Sequence, residues 1–340
     1  MNHRGVLRCS LAAVLFGISA PAASQLAGDM RAATLAGLLY LGAAIAVTPV
    51  AFRNRPSPSA WRRSSGRLAC AVIFGGAIGP LLLAAGLSHT PAATASLLLN
   101  LELVFTTILA HFVFREHLGG RVVTGTGLVV LAGAVLAWSG SADLRWGVLL
   151  IAGACLSWAI DNCVTANLDE LTPSQITMVK GVVAGGANLA IGFALGGSVG
   201  GWPIVGALVV GAFGYGASIT LWVAGARDLG AARGQLVFAT APFIGAVVAW
   251  TVFGEAVATR EVVSLVIAAV GVSFVLHSDH THDHSHEPVE HDHEHAHDDG
   301  HHDHIHDDAF SGRHHHQHRH EAMVHAHPHV PDLHHRHDHT

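Results

Sequence analysis

The chain is poor in charge. Only 12% of its 340 residues are Asp, Glu, Lys or Arg, against about a quarter in a soluble domain. What charge there is gathers at one end: 24 of the 29 histidines lie at or after His280, together with many of the acids. Residues 1–277 are left almost uncharged, which excludes an ordinary water-soluble domain. The net charge of −6 belongs mostly to the tail, so it points to no nucleic acid. Cysteine is scarce too. Cys9, Cys70, Cys155 and Cys163 are scattered, with no CxxC and no metal or redox spacing, and read as small packing residues. No nucleotide motif and no nucleophile triad occurs, which speaks against an enzyme.

Long apolar runs are abundant. A helix needs about 20 such residues to cross the hydrocarbon. Ten runs qualify: 6–27, 32–52, 68–87, 92–114, 122–138, 146–166, 176–195, 204–225, 234–253 and 262–277. The first, with Arg4, Arg8 and Ala22-Ala23-Ser24, also has the features of a cleaved signal peptide, but the repeat described next requires it. With the N-terminus inside, the inner segments carry eleven Arg (4, 8, 53, 55, 62, 63, 67, 115, 121, 227 and 233) and the outer loops three (31, 145 and 260). That bias orients the chain in an inner (plasma) membrane. Ten crossings then bring both termini to the cytoplasm.

The two halves match each other at an offset of 139. LLLAAGLSHTPAATA (81–95) aligns with TLWVAGARDLGAARG (220–234), and HFVFREHL (111–118) with WTVFGEAV (250–257). Ala85-Gly86 falls on Ala224-Gly225, Phe114 on Phe253 and Glu116 on Glu255. Each copy has five crossings, 6–140 and 145–277. An odd number inserts the second copy upside down, the architecture of secondary transporters with a site near the midplane.

The run TPAATASLLLN, the ending FVFREHL and the last helix GTGLVVLAGAVLAW resemble the EamA family of the drug/metabolite transporter superfamily. So do GAARGQLVFATAPFIGAVVAWTVFGEAV and VVSLVIAAVGVSFVL in the second copy. The resemblance covers about residues 7–277. It implies the doubled transporter fold and no particular substrate, because the superfamily includes carriers of amino acids, sugars, nucleotide sugars, amines and drugs. One departure stands out. Family members often carry Pro in the fourth and ninth helices. Pro242 fills the ninth, but the fourth reads Asn100-Leu101-Glu102-Leu103.

Polar side chains inside these runs are the candidate transport and coupling residues, because a charge at the bilayer centre costs about 2.5–3.5 kcal/mol on insertion scales. They are Glu102, Asn100, Asp161, Asn162, Lys180 and Asn188. Hydrocarbon disfavours the charged form of a carboxyl, which suits Glu102 to proton binding and release. The bland alternative is a neutral carboxyl bonded to Asn100 or a neighbouring helix. Asp161 and Lys180 lie at similar depth, so a mutual salt bridge would account for both without a substrate. Glu116 is expected to pair with Arg115 or Arg121, and Glu255 with Arg260. Trp158, Tyr215 and Trp222 either line a cavity or pack. The glycine pairs Gly75/Gly79 and Gly192/Gly196 read as close-packing positions.

Residues 278–340 alternate His with Asp and Glu and have no apolar periodicity, so a disordered tail is expected. Neutral imidazole binds Zn, Ni, Co and Cu. The pairs formed by His280, His282, His284, His286, His291, His293, His295, His297, His301, His302, His304 and His306 therefore read as a multi-site metal chelator, shedding metal as acid charges the imidazoles. No cofactor is required.

The expectation is an all-α membrane protein of ten transmembrane helices as two inverted five-helix repeats, with a cytosolic His-rich tail. Its partners are the lipid bilayer and a small-molecule or ion substrate; a monomer or a homodimer are both compatible. A secondary transporter of a small solute comes first. A divalent-metal (Ni, Co or Zn) exporter or importer fed by the tail is second, and a membrane-anchored metal store or sensor third. The spans lack HxxxH and HxxxD, which weighs against a dedicated metal pump.

Overall fold

Backbone N–H and C=O groups cannot be left open in hydrocarbon, so a lipid-spanning chain of this composition folds as helices. The computed structural model describes residues 3–53, 58–114, 120–138, 142–165, 168, 170–197, 200–229 and 237–276, and in the tail 280–286, 290–295, 314–319 and 323–329. Two units result, Met1–Ser278 and Asp279–Thr340.

Every element of the first unit is helical among the described residues. The first repeat comprises α1 (His3–Leu26), α2 (Ala32–Ala51), α3 (Pro58–Ala71), a π-helical stretch π1 (Val72–Ile78), α4 (Gly79–Leu87), α5 (Ala92–Leu98), α6 (Leu101–Phe114) and α7 (Gly120–Trp138). The second comprises α8 (Ala142–Thr165), α9 (Pro173–Ala194), α10 (Trp202–Val210), a second π stretch π2 (Gly211–Ala217), α11 (Ser218–Leu229), α12 (Ala241–Thr251) and α13 (Thr259–Leu276). Among the described residues eight helical segments are long and apolar enough to cross a membrane; Ala241–Thr251 is a shorter apolar helix. The ninth expected run begins at Gly234, and residues 230–236 lie outside the described part. The tenth is α13.

The offset of 139 reappears in the elements themselves. α1 and α8 both begin and end 139 residues apart, as do π1 and π2; α4 and α11 begin at that spacing, and so do α7 and α13. Packing obeys the same exchange. α8, the first helix of the second repeat, lies against π1, α4 and α6 of the first. α1 lies against π2, α11 and α12 of the second. α2 pairs with α9, and α7 with α13. The repeats therefore interleave and share one core instead of forming separate domains.

Small residues set the spacing of these pairs, as expected where lipid supplies no hydrophobic drive between helices. A Cβ on Gly211 would collide with the backbone of Leu39, and one on Gly181 with Tyr40 and Ala44. Outward faces are apolar: Val130 and Leu131 on α7 and Val262, Val263 and Val266 on α13 are all more than 40% exposed, as lipid contact requires.

In the tail, where the sequence reading expects no regular structure, the described pieces are strands. β1 (His280–His286) pairs antiparallel with β4 (Met323–His329), and β2 (Glu290–His295) with β3 (His314–Arg319). His-x-His alternation has the period of two that a strand uses. The register sets His positions opposite His positions, as in His282↔His327 and His293↔His316. His297, His301, His302, His304 and His306 lie outside the described residues.

Gly211→Leu should lower the detergent-solubilised Tm or yield aggregate, because overpacking costs about 1–3 kcal/mol. Gly186→Ala, which meets nothing within 4 Å, is the control expected to leave the melting curve in place.

Candidate functional site

The irregular points of the bundle carry its polar groups. In π1 the amide of Gly79 bonds to Phe74 O, five residues back. The next residue, Pro80, has no N–H to offer the carbonyl of Gly75. Two side chains supply the missing donors: Tyr40 Oη from α2 at 2.5 Å and Trp158 Nε1 from α8 at 3.2 Å. Asn188 Nδ2 from α9 donates to Ala77 O at 3.1 Å. Asn188, expected as a transport residue, is thus built into the support of π1.

Asp161 lies against Gly75, where any Cβ would collide with its carboxylate. It is 7% exposed. Lys180 Nζ sits 2.5 Å from Oδ2, and Thr165 Oγ1 donates to Oδ1 at 3.0 Å. The expected Asp161–Lys180 pair is therefore formed in this geometry, between α8 and α9.

Glu102 sits in the first turn of α6, just past a break in the fourth crossing. Leu99 and Asn100 form a turn there, with three-residue backbone bonds Glu102 N→Leu99 O and Leu103 N→Asn100 O. No proline causes it. Buried Asn100 folds back instead and donates from Nδ2 to Leu97 O at 2.9 Å, competing with the helical ladder as Asn does. The ninth crossing breaks at the equivalent place, a turn at Ala239–Thr240 before Pro242. Such discontinuous helices are where transporters bind cargo and coupling ions.

Glu102 Oε1 accepts from Asn162 Nδ2 at 2.8 Å. Of the two partners considered from sequence, a neighbouring helix supplies it and Asn100 does not. Asn162 is exposed and Glu102 half-buried, so this pair meets open space, whereas Asp161 does not.

Aromatic rings continue the wall. Tyr40 and Tyr215 are 5.7 Å apart between centroids, Tyr215 and Phe16 6.0 Å, Phe16 and Phe238 5.3 Å, and Phe238 and Trp222 5.9 Å. Trp158 and Tyr215, left open from sequence between lining and packing, are both buried. Tyr40 and Thr165 escape sequence reasoning, and Gly75 reads there only as a close-packing position. The signal that could have marked Gly75 as more is its match with Gly214 at the repeat offset, one in each π stretch. Among the described residues no group of three His, Cys, Asp or Glu side chains comes together as a metal site.

A family model described as the EamA-like transporter family matches this chain twice, over residues 3–138 and 145–277. The chain belongs to the EamA-like transporter family. An uncharacterized transporter of Methanothermobacter thermautotrophicus is 28% identical over 296 residues, 80% of this chain and 86% of that protein. The probable 4-amino-4-deoxy-L-arabinose-phosphoundecaprenol flippase subunit ArnE of Pseudomonas fluorescens is 37% identical over 79 residues, 23% of this chain and 68% of that one. A solved crystal structure shares the fold with a TM-score of 0.55 at 16% identity, covering 79% of this chain and 95% of its own. The family matches fall on the two repeats, and the tail lies beyond them.

Removing one partner of a buried ion pair strands the other and costs about 3–5 kcal/mol, whereas replacing both is often near neutral. Asp161→Ala alone should lower membrane insertion and yield. Asp161→Ala with Lys180→Ala should restore both, read by quantitative immunoblot of membranes. Equal damage in the double variant would show that Asp161 has work beyond Lys180.

Proposed function

We propose that this EamA-like protein is a secondary active transporter that moves a small solute across the inner membrane by alternating access between its two five-helix repeats, with both termini in the cytoplasm. Glu102 is its coupling carboxylate. One observation carries this: of the two carboxylates beside the break in the fourth crossing, Asp161 is bonded to a cation, while Glu102 is bonded to a neutral amide. Among the described residues Glu102 has no cationic side chain against it. It also sits at a helix break beside exposed Asn162, within reach of a cargo or a proton. Asn162 orients the carboxylate, and Asp161 with Lys180 and Thr165 fixes α8 against α9 beneath it.

Glu102→Gln keeps the shape and loses the titratable group. It should insert normally yet lose gradient-driven accumulation by about tenfold or more, the scale of a coupling free energy of about 1.4 kcal/mol. Counterflow, which needs no coupling ion, should persist. Undiminished accumulation would remove Glu102 from the coupling role.

The tail favours a second reading. Its His-rich composition supports binding of Zn, Ni, Co or Cu, and in this reading it delivers the metal to the bundle for export. Elemental analysis after metal challenge separates the two, comparing cells without the protein, with the full chain and with residues 1–278. An organic-solute carrier leaves metal content equal in all three. A metal exporter lowers one metal only with the full chain. A store raises bound metal without changing tolerance.

A further inference from the structure

We propose that Glu255 and Glu261 form a latch across the two repeats that holds one end of the bundle closed. It rests on the reading that the two ends open in turn, and it concerns the end that carries the 88–91 and 252–258 links. Half-helix α5 starts after Pro91, which offers no side-chain cap, so its first amides need acceptors from elsewhere. The second repeat provides them. Glu255 Oε1 accepts from Ala92 N at 2.7 Å and Oε2 from Ala93 N at 2.9 Å. Glu261 Oε1 accepts from Thr94 Oγ1 at 2.6 Å. Three consecutive residues of the first repeat are thus gripped by two carboxylates of the second.

Glu261 is anchored on its own side. It is 3% exposed and accepts from Trp250 Nε1 at 3.1 Å and Ala258 N at 3.3 Å. Glu255 follows Gly254, whose φ of +70° turns the link back toward the bundle. Behind the latch, α5 and α12 interlock at Gly245, where a Cβ would lie 2.7 Å from Ser96 Oγ. α5 is seven residues long, so about 10 Å of rigid helix joins the latch to the break that carries Glu102. Freeing Ala92–Thr94 lets that half-helix move as one piece.

The grip is not matched elsewhere in the sequence. Glu255 recurs as Glu116 and Ala92-Ala93 as Ala231-Ala232 at the 139 offset, all outside the described residues, but Glu261 falls on Val122 and Thr94 on Arg233. The second carboxylate therefore belongs to this end alone and biases the protein toward closing here.

The test uses the full chain in lipid nanodiscs with Glu255→Gln, Glu261→Gln or both. Two reporter cysteines, Ser96→Cys (1% exposed) and Asn162→Cys (exposed), are each introduced with Cys9, Cys70, Cys155 and Cys163 changed to Ala and read by maleimide labelling resolved by mass spectrometry. Breaking the latch should raise labelling at 96 and lower it at 162, each by about fivefold or more. Reciprocal change is what simple loosening would not give. No change at either reporter overturns the latch, and so does a rise at both. If Glu261→Gln does not fold, Glu255→Gln alone decides. The labelling needs no transported solute, so failure of the Glu102 transport test leaves this result standing, and the reverse holds too.

Discussion

In hydrocarbon, an open backbone carbonyl or amide costs several kcal/mol. Everything irregular in this protein is organised around that constraint. Pro80 leaves the Gly75 carbonyl without its helical donor, and Tyr40 and Trp158 close on it. These two bonds bring α2 and α8 onto π1, and Asp161, three residues past Trp158, lands on the glycine. Lys180 then completes the arrangement from α9. Four crossings are located by one unsatisfied carbonyl.

Breaks in the fourth and ninth crossings solve the same problem differently. Asn100 donates its own side chain to Leu97 O, so the broken turn stays satisfied without a proline. At the far end of α5 the free amides are met by Glu255 from the other repeat. A half-helix with both ends held by side chains is stiff, and its position depends on groups that belong to two different repeats.

Much of this is legible in the sequence. Apolar runs located the crossings, and the 139 offset reappears in helix ends and in both π stretches. Depth along the runs was enough to pair Asp161 with Lys180. What was not legible is lateral. Run length gives how far a residue lies across the membrane but not which helix it faces, so Asn162 as the partner of Glu102 and Thr94 as the partner of Glu261 stayed hidden. π geometry was invisible too, because Gly75/Gly79 reads equally as a close-packing pair. In the tail, polarity pointed to no structure while the His-x-His period matched a strand, and composition alone does not rank the two.

The repeat also separates what is doubled from what is single. Gly75 and Gly214, Gly86 and Gly225, and Glu116 and Glu255 occur in both copies. The polar core does not. At the 139 offset Glu102 falls on Ala241, Asn100 on Ala239, Asp161 on Ala22, Asn162 on Ala23 and Lys180 on Leu41. Electrostatics explains the asymmetry. A doubled Glu102 would add a second carboxylate at position 241 of the same bundle. Like charges inside a bundle disfavour each other's ionised form. The positions that let helices approach can be duplicated without cost, since a glycine in each copy serves its own contact. A charged site shared by both copies can be occupied only once. The repeat thus duplicates the packing scaffold, while the polar residues on α6, α8 and α9 occur in a single copy.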